Sequence, residues 1–263
     1  MFTKYIITKR LLNIVYLLAG FSFLFIIWEL VSLGTKGELP SPVSTMKVFF
    51  QLWSDPFYDA GPNDKGIGVQ LFASLKRVFI GFGLGTLIAI PVGFLIGSSR
   101  ITLNILNPVI QILRPVSPLA WFPLGLAMMK VTDKATIFVI VITSLWPTLI
   151  NTGLGVSSVP QDHKNVGKAF GFSHWKYVTK ILVPFSLPHI ITGLRLSIGV
   201  AWMVIVAGEM LSGGIGLGYF VWDEGFNGGS IEKILVAIII IGIVGLILDK
   251  CFTWLQKKFS YAV

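Results

Sequence analysis

Apolar residues occupy this chain in long unbroken runs separated by short polar segments, a pattern set by the thickness of hydrocarbon rather than by one wet face of a surface helix. Six runs stand out: Leu11–Leu33, Leu75–Ser98, Ile105–Met129, Ala135–Val156, Ile190–Ser212 and Ile234–Leu255. Each is near or above the roughly 20 residues that cross about 30 Å of hydrocarbon as a helix. The pattern predicts an all-α membrane protein with six transmembrane helices. Two runs hold strong helix breakers. The second carries Pro91 with Gly81, Gly83, Gly85, Gly93 and Gly97, and the third carries Pro108, Pro115, Pro118 and Pro123. Breakers survive in membrane helices where neighbouring protein satisfies the freed backbone groups, so these two helices are expected inside a bundle, where a pathway would run.

The first run follows Lys4, Lys9 and Arg10, which also fits the charged start and apolar core of a signal peptide. It is long, however, carries Trp28 and Glu29 near its end, and leads into Gly34-Thr35-Lys36-Gly37 without a small-x-small cleavage pattern. It reads as an uncleaved anchor helix over 1–34. An outer loop over 35–73 is expected next, then a membrane core over 74–255 containing a polar loop over 157–189, then a short tail over 256–263.

Composition agrees: 54% of the 263 residues are hydrophobic and only 13% charged, where a soluble domain carries about 25%. The net charge of +9 does not point to nucleic acid, because the positive residues lie between apolar spans rather than on one polar face interleaved with aromatics. It reads as topology. With the N-terminus inside, six crossings put Lys4, Lys9, Arg10, Arg100, Lys164, Lys168, Lys176, Lys180, Arg195, Lys250, Lys257 and Lys258 in the cytoplasm against only Asp162 and Asp249. On the outer side the positive residues, Lys76 and Arg77 at a helix start among them, are balanced by acidic ones. This asymmetry places both termini inside. The single cysteine, Cys251, excludes an internal disulfide and suggests no thiol-based metal or redox site.

The polar segment from Ser157 to His189 should fold. Val159-Pro160-Gln161-Asp162 reads as a helix entrance, and Val166, Ala169 and Phe170 follow at helical spacing before Gly171 stops the helix. Ser173 can cap a second short helix that ends towards Pro184 and Pro188. The result is a helix-turn-helix across the inner face. A basic amphipathic helix resting on lipid, with Trp175 at the interface, is the alternative.

Asn165-Val166-Gly167-Lys168-Ala169-Phe170-Gly171, followed by Ile181-Leu182-Val183-Pro184, resembles the EAA loop of ABC importer permeases. The glycine and the proline ending are kept, while Asn165, Val166 and Gly167 replace the usual Glu-Ala-Ala. Leu39-Pro40-Ser41-Pro42, Ser74-Leu75-Lys76-Arg77-Val78 and Leu113-Arg114-Pro115-Val116-Ser117-Pro118 are similar to segments of nitrate, sulfonate and taurine permeases. The segments 55–66, 207–216 and Val221-Trp222-Asp223 look most like the nitrate and bicarbonate permeases. The resemblance implies a five-helix importer core behind an extra N-terminal helix. It also implies a second permease copy, most simply as a homodimer, and a periplasmic or lipid-anchored substrate-binding protein docking near 55–66 and 213–218. Cytosolic ATPase subunits would grip Asn165, Val166, Gly167, Ala169, Gly171, Ile181 and Pro184. ATP and Mg would be held by those subunits, with no cofactor, metal or catalytic residue in this chain, and the cargo would be a small anion such as nitrate, bicarbonate, nitrite, cyanate or an organosulfonate.

Arg114 and Glu209 fall inside predicted spans, where an unpaired charge costs at least about 2.5–3.5 kcal/mol. Arg114 is a candidate to line the anion route or hold a gate, and Glu209 to fix the outer end of the fifth helix. A structural charge network is the alternative for both. No Gly-x-x-x-x-Gly-Lys-Ser/Thr sequence is present, so the chain does not hydrolyse ATP by that route. A secondary transporter would show inverted repeats and a chain of membrane carboxylates, and neither is visible. An intramembrane enzyme would cluster its histidines in the bilayer, but His163, His174 and His189 lie in or beside the polar loop.

Overall fold

The computed structural model describes residues 2–61 and 64–259. The chain is helical almost throughout: α1 (Phe2–Gly34), α2 (Pro42–Ser54), α3 (Ile67–Ser98), α4 (Arg100–Leu113), a 3-10 turn at Pro118–Ala120, α5 (Trp121–Met129) and α6 (Thr132–Ser157). The polar segment holds α7 (Gln161–Ala169) and α8 (His174–Tyr177), and then come α9 (Val183–Ser212), α10 (Leu217–Phe226) and α11 (Ile231–Phe259). Five helical stretches are long and apolar enough to cross a membrane, and the α4–α5 pair, bent by 89°, makes a sixth if it is one span.

Close packing fixes the directions of the spans. Gly81, Gly85, Gly93 and Gly97 of α3 lie against Ile140, Ser144, Thr152 and Val156 of α6, and the two numbers differ by 59 in every pair. A constant difference means that α3 and α6 run parallel in one register. The approach is tight: a Cβ on Gly81 would sit 2.6 Å from the Ile140 side chain. This is the small-residue packing expected between membrane helices, where lipid offers no hydrophobic drive and van der Waals contact supplies the attraction. Because α3 ends at the polar-loop end of the bundle and α6 begins at the far end, the chain between them has to cross back. The bent α4–α5 pair is that crossing.

Helix α9 runs antiparallel to α6. Gly155 faces His189, Gly193 faces Asn151, and the Thr148 N–H donates to Ser197 Oγ at 3.1 Å. On its other side α9 is antiparallel to α11, where Trp202 Nε1 donates to the Ile241 carbonyl at 2.9 Å. The main apolar core lies here, with Ile198, Trp202 and Ile205 packed among Val236, Ile240 and Val78, and Phe49 and Leu52 of α2 close one edge. Helix α1 stands apart, its apolar stretch exposed except near its end, where Trp28 and Ser32 donate to the carbonyls of Pro40 and Leu39.

Several boundaries differ from the sequence pattern. The second span begins at Ile67, so Lys76 and Arg77 lie well inside a helix rather than at its start. The third is two helices, because Pro115 and Pro118 cannot donate and the chain turns where the ladder fails. The second loop helix does not end towards Pro184 and Pro188. A π turn at Val178–Leu182 carries it into α9, so the last long run before α10 is continuous from His174 to Ser212. The loop expected over 35–73 contains α2, capped by Ser41 Oγ accepting from the Ser44 N–H, and α10 occupies part of the turn region after Gly213. In the tail expected over 256–263, residues 256–259 continue α11 and the remainder falls outside the described residues.

Candidate functional site

The polar loop is folded and packed against the start of the last long run. Helix α7 closes on a Schellman turn: the Phe172 N–H donates to the Gly167 carbonyl at 2.9 Å, and the Gly171 N–H to Lys168 at 3.0 Å. Gly171 has φ +60°, a backbone that side chains resist. Ser173 then caps the next helix by accepting from the Lys176 N–H. Gly167 is buried, and a Cβ there would lie 3.1 Å from Tyr177 and 3.3 Å from Ile181, so α7 rests directly on the segment that becomes α9. Beneath it, Val156, Val159 and Leu182 form a small core with Ile181, Phe185 and Phe94. Pro184 is the second residue of α9. The free surface carries Asn165 and Ala169 together with three apolar side chains, Val166, Phe170 and Trp175, the last two about three-quarters exposed.

Arg114 follows the last residue of α4, at the bend. It is exposed, and it lines a cavity of about 620 Å³ between α4 and the polar-loop ends of α3 and α6. No carboxylate pairs with it among the described residues. Glu209 does not line that cavity. It is fully buried near the end of α9, where its carboxylate accepts from Ser74 Oγ at 2.8 Å, Arg77 Nη1 at 2.8 Å and the Gly218 N–H at 3.0 Å. Arg77 also pairs with Asp133 and donates to the Ile215 carbonyl. Gln70 Oε1 accepts from the Gly216 N–H at 2.6 Å, and the Leu217 N–H donates to Ser74 Oγ at 2.9 Å. The turn after α9 is thus clamped to α3, and Gly216 (φ +154°) is required, since a Cβ there would meet the Glu209 carboxylate at 2.2 Å.

The residues that hold Glu209 were missed because they look ordinary in sequence. Gln70, Ser74 and Arg77 follow an i, i+4, i+7 spacing that places them on one face of α3, but this is visible only if the helix starts at Ile67. A second pair joins α9 to α11 at the opposite end: Arg195 donates to both carboxylate oxygens of Asp249, at 2.7 and 3.0 Å. At the far end of the bundle Tyr58 donates to Asp64 at 2.8 Å, and burial together with Asp64 pushes its hydroxyl up to about 12. That hydroxyl remains a donor at neutral pH and, with the backbone bonds from Ala60 N–H to Asp64 and from Gly66 N–H to Tyr58, ties 58–60 to 64–66.

Membrane-length helices around a small-residue seam, with a folded polar loop merging into one span, define a multi-pass helical membrane protein. Residues 85–261 match the family of binding-protein-dependent transport system inner membrane components, and the chain belongs to that family, the permeases of ABC importers. It is 44% identical over 234 residues to the nitrate import permease protein NrtB of Synechocystis sp., covering 89% of this chain and 85% of that protein. It is 42% identical to the bicarbonate transport system permease protein CmpB of Synechococcus elongatus, covering 95% and 90%. The fold matches a chain of the inward-facing MetNI methionine ABC transporter with a TM-score of 0.65 at 15% identity, over 72% of this chain and 94% of that one.

Proposed function

We propose that this permease carries a small inorganic anion, nitrate in the first place, across the inner membrane, driven by separate ATPase subunits docked on the 165–184 loop. The observation that carries the reading is the rigid junction: α7 sits on Tyr177 and Ile181, and that segment continues unbroken into α9. A push on Val166, Phe170 and Trp175 is therefore delivered to a span. Two copies of the chain surround the route, each gripped by one ATPase that holds ATP and Mg. A periplasmic or lipid-anchored binding protein delivers the anion at the opposite face, near the 55–66 hairpin and the turn after α9. The positive residues at the loop end support a cytoplasmic loop and cytoplasmic termini.

The cargo reading rests on the likeness to NrtB and on the chemistry of Arg114, a cation with no carboxylate paired to it among the described residues. An anion route needs positive potential without a tight cage, because passage requires weak binding. Bicarbonate is the second reading, favoured by the likeness to CmpB. The test is purification of the tagged chain from its native membranes in mild detergent. Recovery of one ATPase per permease supports the reading, and nitrate and bicarbonate are then compared as cargo in vesicles. A chain that purifies alone and transports without ATP refutes it.

A further inference from the structure

Helix α4 carries a polar stripe that an ordinary lipid-facing helix does not tolerate. Arg100, Asn104, Asn107, Gln111 and Arg114 recur at spacings of four and three, while the other faces are mostly Ile, Leu and Val, with Thr102 and Pro108 the exceptions. That spacing puts all five on one side of the helix, over a rise of about 21 Å. Asn107, Gln111 and Arg114 line the cavity of about 620 Å³ against α3 and α6, and no carboxylate is among its lining residues. Every one of these side chains carries N–H donors, and Arg114 supplies the formal charge of the described lining.

We propose that Asn107, Gln111 and Arg114 form a transient binding site for a small planar oxyanion on its way through the inner half of the membrane. This rests on the reading of the chain as an anion permease. A guanidinium presents two parallel N–H groups that match two oxygens of a planar three-oxygen anion, a geometry that nitrate and bicarbonate share. The Gln111 and Asn107 carboxamides, three and seven residues back, offer donors to the remaining oxygen and then to the departing anion. Neutral donors below a single cation hold the anion weakly, as conduction demands. Such a site would let Arg114, which pairs with no carboxylate among the described residues, sit at membrane depth: a cavity of about 620 Å³ has room for water, and the charge would be periodically met by cargo.

The test uses the complex of this chain with its ATPase in phosphatidylcholine vesicles, where no anionic lipid headgroup competes for the site. In a Cys251→Ser background, Gln111→Cys is reacted with methanethiosulfonate ethylsulfonate and with its ethyltrimethylammonium counterpart, and Asn107→Cys repeats the measurement one turn away. The sulfonate reagent is expected to react faster, and nitrate at millimolar concentration is expected to slow it. Adding Arg114→Gln should lower the anionic-to-cationic rate ratio by at least about tenfold, the effect of removing one unit charge a few ångströms away at an effective dielectric near 20, whereas Arg114→Lys should keep most of the preference. Equal rates for both reagents, no response to Arg114→Gln, or cysteines that neither reagent reaches would overturn the site. ATP-driven nitrate uptake by the parent complex is measured in the same vesicles with the loaded binding protein supplied. Its absence refutes the importer reading whatever the labelling shows, and normal uptake with charge-blind labelling refutes the site alone.

Discussion

Glu209 is the most thoroughly paired charge in the molecule, and its partners differ in how much they can contribute. Arg77 is 15% exposed and its removal leaves a fully buried carboxylate without its counter-charge, whereas Asp133 is half exposed and water can replace it. Arg77→Ala should therefore destabilise the solubilised protein by about 3–5 kcal/mol, and Asp133→Asn by less than about 1 kcal/mol, compared by thermal inactivation. Equal effects would mean that the buried pair does not hold the clamp. Gly216→Ala should approach the Arg77 variant, since its methyl group would occupy the place of the carboxylate. The need of Arg114 and Glu209 for a partner or water was legible from their position in apolar runs, but the partners were not. Arg77 reads as a topogenic charge near a helix end until the eight residues before Leu75 are seen to belong to α3. Asn107 and Gln111 are likewise silent in a hydropathy profile, because such a profile averages over every face of a helix and does not register a polar stripe along one of them.

At the scale of elements, the glycines of α3 make a sharp distinction. Gly85 faces Ser144 of α6 so closely that a Cβ would lie 2.4 Å from its oxygen, while Gly83, half a turn away, has no neighbour within 4 Å. Gly85→Leu should abolish recovery of folded protein, and Gly83→Leu should leave it nearly unchanged, as judged by size-exclusion yield after solubilisation. Similar losses from both would contradict the parallel seam. The polar loop gives a second contrast. Gly171→Glu forces an L residue into a left-handed turn and places an acid beside the docking surface. It should leave the protein inserted while ATPase association and uptake are lost, and normal association would remove the docking assignment. Pattern located the five long apolar helices and the apolar stretch of the bent α4–α5 pair, because length and hydrophobicity suffice for that. It misplaced their ends where a local feature overrides the average: prolines that bend the third crossing, a π turn that carries the loop helix into α9 just before Pro184, and polar residues such as Gln70 that α3 buries through side-chain hydrogen bonds. The Gly171 stop and the Ser173 cap were legible because each depends on one residue's own conformational chemistry.

Across the whole molecule, α9 is the common member of both ion-pair systems. Arg195 ties it to α11 near the loop end and Glu209 ties it to α3 at the far end, fourteen residues or about 21 Å apart. Under the proposed docking, a force entering at α7 would reach two other spans through α9. Arg195→Ala should weaken this transmission: ATP hydrolysis by the complex should continue while anion uptake per ATP falls several-fold, and an unchanged ratio would relegate the pair to packing. The central claim is that a separate ATPase moves this permease through its loop to import a small anion. The most direct measurement is nitrate accumulation by vesicles containing the permease, its ATPase and the loaded binding protein, with and without ATP. The account predicts accumulation only with ATP and its loss in Gly171→Glu; accumulation without ATP, driven by an ion gradient and indifferent to Gly171→Glu, would contradict it.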